Sequence, residues 1–221
     1  MTPTATALDE SSDFSDQLSA ELCRRGTSPR TAGRSPRNFL PADLAERLEA
    51  ECREHWAHDA FRRAGVGRGT ALQIREDIRR DHVLWLEPGL LTPAQADYLG
   101  VLDTLRLAIN RRLFLGLFDF EGHFAVYPEG GFYKRHLDRH AKTADRAVTA
   151  ILYLNRDWHP DDGGQLKIEL APGGDPDGPS TLVSPEFNTL VAFLSGDYWH
   201  EVLPARRERA SITGWFRVRA A

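Results

Sequence analysis

The residues whose types and spacing could do chemistry lie in the second half of this 221-residue chain. His136 and Asp138 stand two apart in FYKRHLD, a run that reads as a strand, and a period of two turns both side chains to one face. An imidazole beside a carboxylate makes most of a divalent-metal site. His-x-Asp also recurs by chance, so the reading needs a further ligand from elsewhere in the fold. His200 is the best candidate, because it sits in the strand-like run WHEVLPA with an apolar segment just before it. Two histidines and one carboxylate on one face of an octahedral ion leave the other face open, which suits Fe(II) and O2 chemistry. Further on, Arg209, Ser211, Thr213 and Trp215 alternate onto one face of another strand. A guanidinium and a hydroxyl turned into an apolar interior need an anionic partner. A dicarboxylate such as 2-oxoglutarate would supply it, its 2-oxo acid end on the metal and its far carboxylate in the planar fork of Arg209. Arg206 and Arg207 are rivals for that role, but they read as the loop before the strand. His140 reads as loop, and His159, Asp161 and Asp162 as a solvated turn.

These residues need elements to carry them. From Gly116 onward, short apolar runs alternate with turn residues: HFAVYP (123–128), FYKRHLD (132–138), AVTAILYLN (147–155), QLKIEL (165–170), TLVS (181–184), NTLVAFLS (188–195), WHEVLPA (199–205) and ASITGWFRV (210–218). Strands at this spacing imply a sandwich or jelly roll. Upstream, Pro41–Arg63 has a helical pattern with Leu44, Leu48 and Trp56 on a shared face. HVLWLEP (82–88) reads as a strand. A second helix starts at Thr92 as N-cap with Pro93 next and Gln95 after it, and buries a stripe of Tyr98, Leu102, Leu105, Ile109 and Leu113. These helices should pack on one outer face of the strands. The expected organisation is a flexible or weakly helical segment 1–36, in which Phe14, Leu18 and Leu22 could share a face, and one domain over 37–221. Within that domain, helical support spans 37–116 and the jelly-roll core spans about 117–218.

Composition narrows the class. Hydrophobic residues make up 41% and charged residues 27%, with a net charge of −4, as expected for a globular protein with no global attraction to nucleic acid or an anionic membrane. Cys23 and Cys52 form no CxxC pair and suggest neither a disulfide framework nor a zinc site. No apolar run approaches the roughly 20 residues that span a bilayer, and no secretory signal is visible. The expected location is the cytoplasm.

Residues from about 75 to 217 resemble the prolyl-hydroxylase branch of the 2-oxoglutarate oxygenases, in particular the hypoxia-inducible-factor prolyl hydroxylases and their bacterial relatives. The segments that carry the resemblance are DIRRDHVLWLEP, YPEGGFYKRHLD, ILYLNRDW, GGQLKIEL and WHEVLPARRERASITGWF. It implies an α+β, mainly β fold: a double-stranded β-helix with the N-terminal helices on one face and the iron at one mouth. It implies Fe(2+), 2-oxoglutarate and O2, and it allows L-ascorbate. Its metal ligands fall on His136, Asp138 and His200, and its 2-oxoglutarate arginine on Arg209. A tyrosine bonding the same carboxylate falls on Tyr153, and Ile151, Leu166 and Val202 fall on pocket positions. Tyr127 matches a tyrosine near the iron, Thr213 and Trp215 the inner face of the last strand, and Trp158 a tryptophan beside the site. Read without the resemblance, Tyr153, Ile151 and Leu166 are simply inward-facing core. Gly65–Gln73 stands where the family has a mobile substrate loop, but its sequence has no counterpart there. Arg79 and Asp81 match positions beside that loop; by themselves they read as a surface ion pair.

The activity implied is hydroxylation of a C–H bond, most simply on a prolyl residue of a protein, with release of succinate and CO2. Asp138 argues against a halogenase, which lacks that ligand. The alternatives are hydroxylation of a free amino acid or small natural product, a non-catalytic iron and 2-oxoglutarate sensor, and a metal-free cupin-like scaffold. Partners are thus a protein or small-molecule substrate, with neither nucleic acid nor membrane; the sequence does not settle the oligomeric state.

Overall fold

The computed structural model describes residues 37–66, 73–139, 144–171 and 173–219. The segment 1–36 with Cys23, most of the Gly65–Gln73 loop and His140 lie outside the described residues.

Among the described residues, helix α1 (Ala42–Ala57) and helix α2 (Pro93–Leu113) accompany ten strands: β1 (Arg62–Arg63), β2 (His82–Trp85), β3 (Leu117–Tyr127), β4 (Tyr133–His136), β5 (Arg146–Tyr153), β6 (Leu166–Glu169), β7 (Ser180–Val183), β8 (Leu190–Leu194), β9 (His200–Val202) and β10 (Arg209–Val218). They form a six-stranded sheet in the order β1-β2-β3-β10-β5-β8 and a four-stranded sheet in the order β4-β9-β6-β7. Every pairing between these strands is antiparallel. The two sheets make the expected jelly roll.

Period two decides what each face meets. On the larger sheet Phe124, Val126, Val148, Leu152, Ile212 and Phe216 pack with Leu44, Leu48, Tyr98, Leu102, Leu105 and Ile109 of the helices. Their neighbours of opposite parity, Ala125, Tyr127, Ile151 and Tyr153, pack with Leu166, Ile168, Val183 and Val202 of the smaller sheet. The helices therefore cover one face of the large sheet, and the small sheet covers the other. Thr92 caps α2 as its sequence implies, its hydroxyl accepting from the Gln95 N–H at 3.2 Å.

Two boundaries differ from expectation. The helical pattern from Pro41 does not run to Arg63. It ends at Ala57, Asp59 takes a left-handed φ of 53°, and Arg62–Arg63 pairs with β2 instead. The break turns Phe61 into the core, edge-on to Trp56 at 5.4 Å. Strand β3 starts at Leu117 rather than near 123, because β10 offers it a partner as far as Val218. Both features are non-local, and local periodicity carries no trace of them.

Gly214 lies mid-strand in β10, where a Cβ would sit 2.3 Å from the Phe120 ring and 2.4 Å from the Glu121 carbonyl oxygen. The backbone atom cannot move aside cheaply. Gly214→Ala is expected to cost about 1–3 kcal/mol, lowering the midpoint of thermal unfolding by a few degrees. Cys52 is buried in α1, and burial above all pushes its thiol up to about 12. It should resist a thiol reagent in the native protein and react fully in denaturant, as mass spectrometry of the labelled peptide would report.

Candidate active site

Strands β4 and β9 pair so that His136 faces His200 across the ladder. Asp138 lies just past the end of β4. Among the described residues, these three alone form a cluster of potential metal ligands, with all ligand atoms within 4.8 Å of one another. Asp138 Oδ1 is 3.5 Å from His136 Nε2, and Oδ2 is 3.4 Å from His200 Nε2. One cation roughly 2.1 Å from each atom can bridge such separations.

The imidazoles are oriented for that role. His136 Nδ1 is 2.7 Å from the Lys134 carbonyl oxygen, and His200 Nδ1 is 3.0 Å from that of Tyr198. A carbonyl oxygen only accepts, so each Nδ1 carries the proton and each Nε2 presents its lone pair. Tyr133 stacks on His136 with centroids 3.6 Å apart, and Phe193 meets His200 edge-on. Burial, then the neighbouring His136, lowers His200 to about 4, so it is a neutral ligand at neutral pH. Burial alone would raise the Asp138 carboxyl, but the flanking His200 and His136 and the Thr149 hydroxyl hold it well below the usual range. Thr149 Oγ1 donates to Asp138 Oδ2 at 2.8 Å and lies 2.9 Å from the buried Ser195 hydroxyl. Thr149→Val keeps the shape and removes that donor. It is expected to weaken metal affinity roughly 10- to 100-fold with little change in secondary structure, measured by metal titration and circular dichroism.

The ligands open into a cavity also lined by Tyr127, Ile151, Leu166, Val202, Arg209, Thr213 and Trp215. Arg209 is 1% exposed. Its Nε donates to the Gly164 carbonyl at 2.8 Å, while Nη2 is buried without a partner. The Tyr153 hydroxyl is buried and unpartnered too, and the Arg209 guanidinium carbon lies 5.0 Å from the ring centroids of both Tyr153 and Tyr127. The unpartnered guanidinium nitrogen lines the cavity and fits a carboxylate; Tyr153 stands beside Arg209 without itself lining the cavity. A divalent ion with Asp138 as its one anionic ligand keeps about one positive charge, and Arg209 adds another, which together balance a dianion. The cavity thus suits Fe(II) with 2-oxoglutarate.

The remaining site residues take differing places. Ser211 is buried, with its hydroxyl 3.2 Å from that of Thr213, and does not line the cavity. Trp158 packs against Gly164, behind Arg209, and donates to the Gly163 carbonyl at 3.1 Å. Arg206 is exposed, and Arg207 bonds the Arg156 and Asp157 carbonyls over the Trp158 ring, so neither rivals Arg209. The reading of Arg79 and Asp81 as a surface pair is corrected. The Asp81 side chain is fully buried, Arg79 holds it through both carboxylate oxygens, and both residues line the cavity. Tyr133, in contact with Arg79, covers the pair. Four further lining residues escaped sequence reasoning: His123, Ala125, Tyr133 and Arg146. For His123 a signal was present, since it shares strand parity with Tyr127.

Comparison with known proteins agrees with this geometry. The family model of the 2OG-Fe(II) oxygenase superfamily matches residues 122–217. A prolyl-4-hydroxylase from Pseudomonas putida is 47% identical, the match covering 93% of this chain and all of that one, with a TM-score of 0.79. A Trichoplax adhaerens prolyl hydroxylase, solved with a hypoxia-inducible-factor oxygen degradation domain peptide fragment, is 26% identical over 98% of this chain and 94% of that one, also with a TM-score of 0.79. Egl nine homolog 1 of Homo sapiens is 34% identical over 153 residues, which is 64% of this chain; the match spans 33% of the human protein's length.

Proposed function

The chain belongs to the Fe(II)- and 2-oxoglutarate-dependent oxygenase superfamily, in its prolyl-hydroxylase branch, and on that premise we propose that it hydroxylates a prolyl residue of a protein substrate. One oxygen atom of O2 enters the C–H bond and the other enters succinate, with 2-oxoglutarate losing CO2. His136, Asp138 and His200 would hold the iron through Nε2, a carboxylate oxygen and Nε2. Arg209, with Tyr153 beside it, would hold the far carboxylate of 2-oxoglutarate. Bound iron supplies the O2 activation that no side chain offers. The protein's part is orientation and shielding: Leu166, Ile151 and Val202 exclude water, and Thr149 fixes the Asp138 carboxylate. Residues 37–221 would act as one catalytic domain. Among the described residues no helix is long and apolar enough to cross a membrane.

The observation that carries this reading is the Arg209 Nη2, a buried cationic donor without a partner, in the cavity where two imidazole lone pairs and a carboxylate converge. Anaerobic addition of Fe(II) and 2-oxoglutarate should produce the weak visible metal-to-ligand charge-transfer band. Oxygen, ascorbate and proline-containing peptides should then give succinate and a peptide carrying one added oxygen. A band with uncoupled succinate but no peptide product would favour a small-molecule substrate. A band with no succinate at all would leave a sensor.

A further inference from the structure

One wall of the cavity carries two buried nitrogen groups that neither the iron nor the co-substrate uses. His123 lies on β3 and pairs across the ladder with Thr213, so Trp215 stands diagonally beside it on the same inner face of β10. Their ring centroids are 5.6 Å apart. Residue exposures are 3% for His123 and 6% for Trp215, and neither His123 Nδ1 nor Trp215 Nε1 has a hydrogen-bond partner. Trp85, partly exposed, lies 4.7 Å from the other side of His123, so this wall reaches the surface. Buried polar nitrogens left unpaired are costly, and a ligand group that met both, with the His123 proton on Nδ1, would relieve that cost.

The charges nearby say what kind of group. Arg79 is held by Asp81, and Arg146, stacked 3.4 Å above the Trp215 ring, is held by Glu121. Among the cavity's arginines only Arg209 lacks a carboxylate, and the co-substrate claims it. Burial first, then Arg79, lowers the His123 imidazole to about 3, so it is neutral. The wall is polar without free charge. An indole N–H only donates, a neutral imidazole donates through one nitrogen, and an amide oxygen can accept from both. A carboxylate placed there would lose its hydration with no spare cation to replace it.

We propose that His123 and Trp215 form a subsite for a neutral carbonyl oxygen of the substrate, with His123 determining selection of amide-linked proline over the free amino acid. This rests on the hydroxylase reading above and names the group its substrate must present.

The test uses 15N-labelled protein loaded with Zn(II) and 2-oxoglutarate, titrated with N-acetylprolinamide or with free L-proline. With five tryptophans in the chain, Trp215→Phe assigns the indole signal. The blocked amide should shift the Trp215 indole and His123 imidazole resonances, and free proline should not. His123→Leu should weaken binding of the amide about five- to tenfold, and His123→Asn, which keeps a donor, should recover most of it. Should the Leu variant fail to fold, His123→Gln against His123→Ala makes the same comparison. Equal binding of free proline, wild-type affinity in the apolar variant, or no movement of these two resonances would overturn the subsite. The charge-transfer band of wild type separates the cases: with the band present, such a result removes the subsite alone; with it absent, the oxygenase reading goes as well.

Discussion

Asp138→Ala should leave a folded protein that no longer retains iron and shows no turnover above background. The carboxylate is buried, lies 3.4–3.5 Å from both imidazole Nε2 atoms and accepts from Thr149. It is the cluster's one anionic ligand, so its removal leaves a cation facing two neutral rings and Arg209. The effect can be read without catalysis. A metal present at a thousand times its Kd stabilises the native state by about 4 kcal/mol. At roughly 2–4 °C per kcal/mol for a chain of this size, Mn(II) or Fe(II) should raise the wild-type unfolding midpoint by about 8–16 °C. The Asp138→Ala midpoint should stay where it is. An equal rise in the variant would show that the metal sits elsewhere.

The second large effect is expected at Arg209. Its Nε is committed to the Gly164 carbonyl, which fixes the side chain and leaves Nη2 for a ligand. A hydrogen bond to a charged group contributes about 1.5–3 kcal/mol, so losing the guanidinium should raise the Kd for 2-oxoglutarate by roughly 10- to 150-fold. Iron affinity should change far less, because the ligand set is untouched. Comparison with 2-oxobutyrate, which has the 2-oxo acid but no far carboxylate, isolates the contact. Wild type should prefer 2-oxoglutarate strongly; Arg209→Ala should bind the two alike, both weakly. Arg209→Lys should recover only part of the preference, since an ammonium cannot match the planar fork. A variant that still discriminates between the two acids would place the far carboxylate on another group.

Gly164 supports this arrangement from behind. Its φ is +65°, and a Cβ there would lie 3.1 Å from Arg209 Cδ and from the Trp158 ring. The glycine pair in GGQLKIEL thus serves as more than turn punctuation. Its backbone carries the carbonyl that holds Arg209, and its lack of a side chain leaves room for the arginine stem.

Much of this was legible in the chain because parity is local. Stereochemistry makes alternate strand residues point to opposite faces, so Arg209, Ser211, Thr213 and Trp215 had to share a side, as did Thr149, Ile151 and Tyr153. The same period suggested that His136 and Asp138 belong together, although β4 ends at His136 and the bend after it carries Asp138. Caps and turn residues are equally local, which is why Thr92 marks the true start of α2. Parity does not tell inner face from outer, nor a lining residue from one behind it. Ser211 shares its face with Thr213 and yet stands back from the cavity.

Convergence was decided only by the tertiary structure. His200 meets His136 because β4 and β9 pair, and that pairing depends on which sheet faces cover one another. The Arg79–Asp81 pair lies in a charged run with no apolar period, and such a run reads as surface. It became interior when Arg79 bridged to Tyr133 and the Tyr133 ring closed over it. His123 Nδ1 and Trp215 Nε1 are buried without hydrogen-bond partners because β2, β3 and β10 bring Trp85, His123 and Trp215 together in one wall. Which side of a strand a residue occupies follows from a few covalent bonds. What waits on that side depends on contacts between distant parts of the chain, formed together when two hydrophobic faces close.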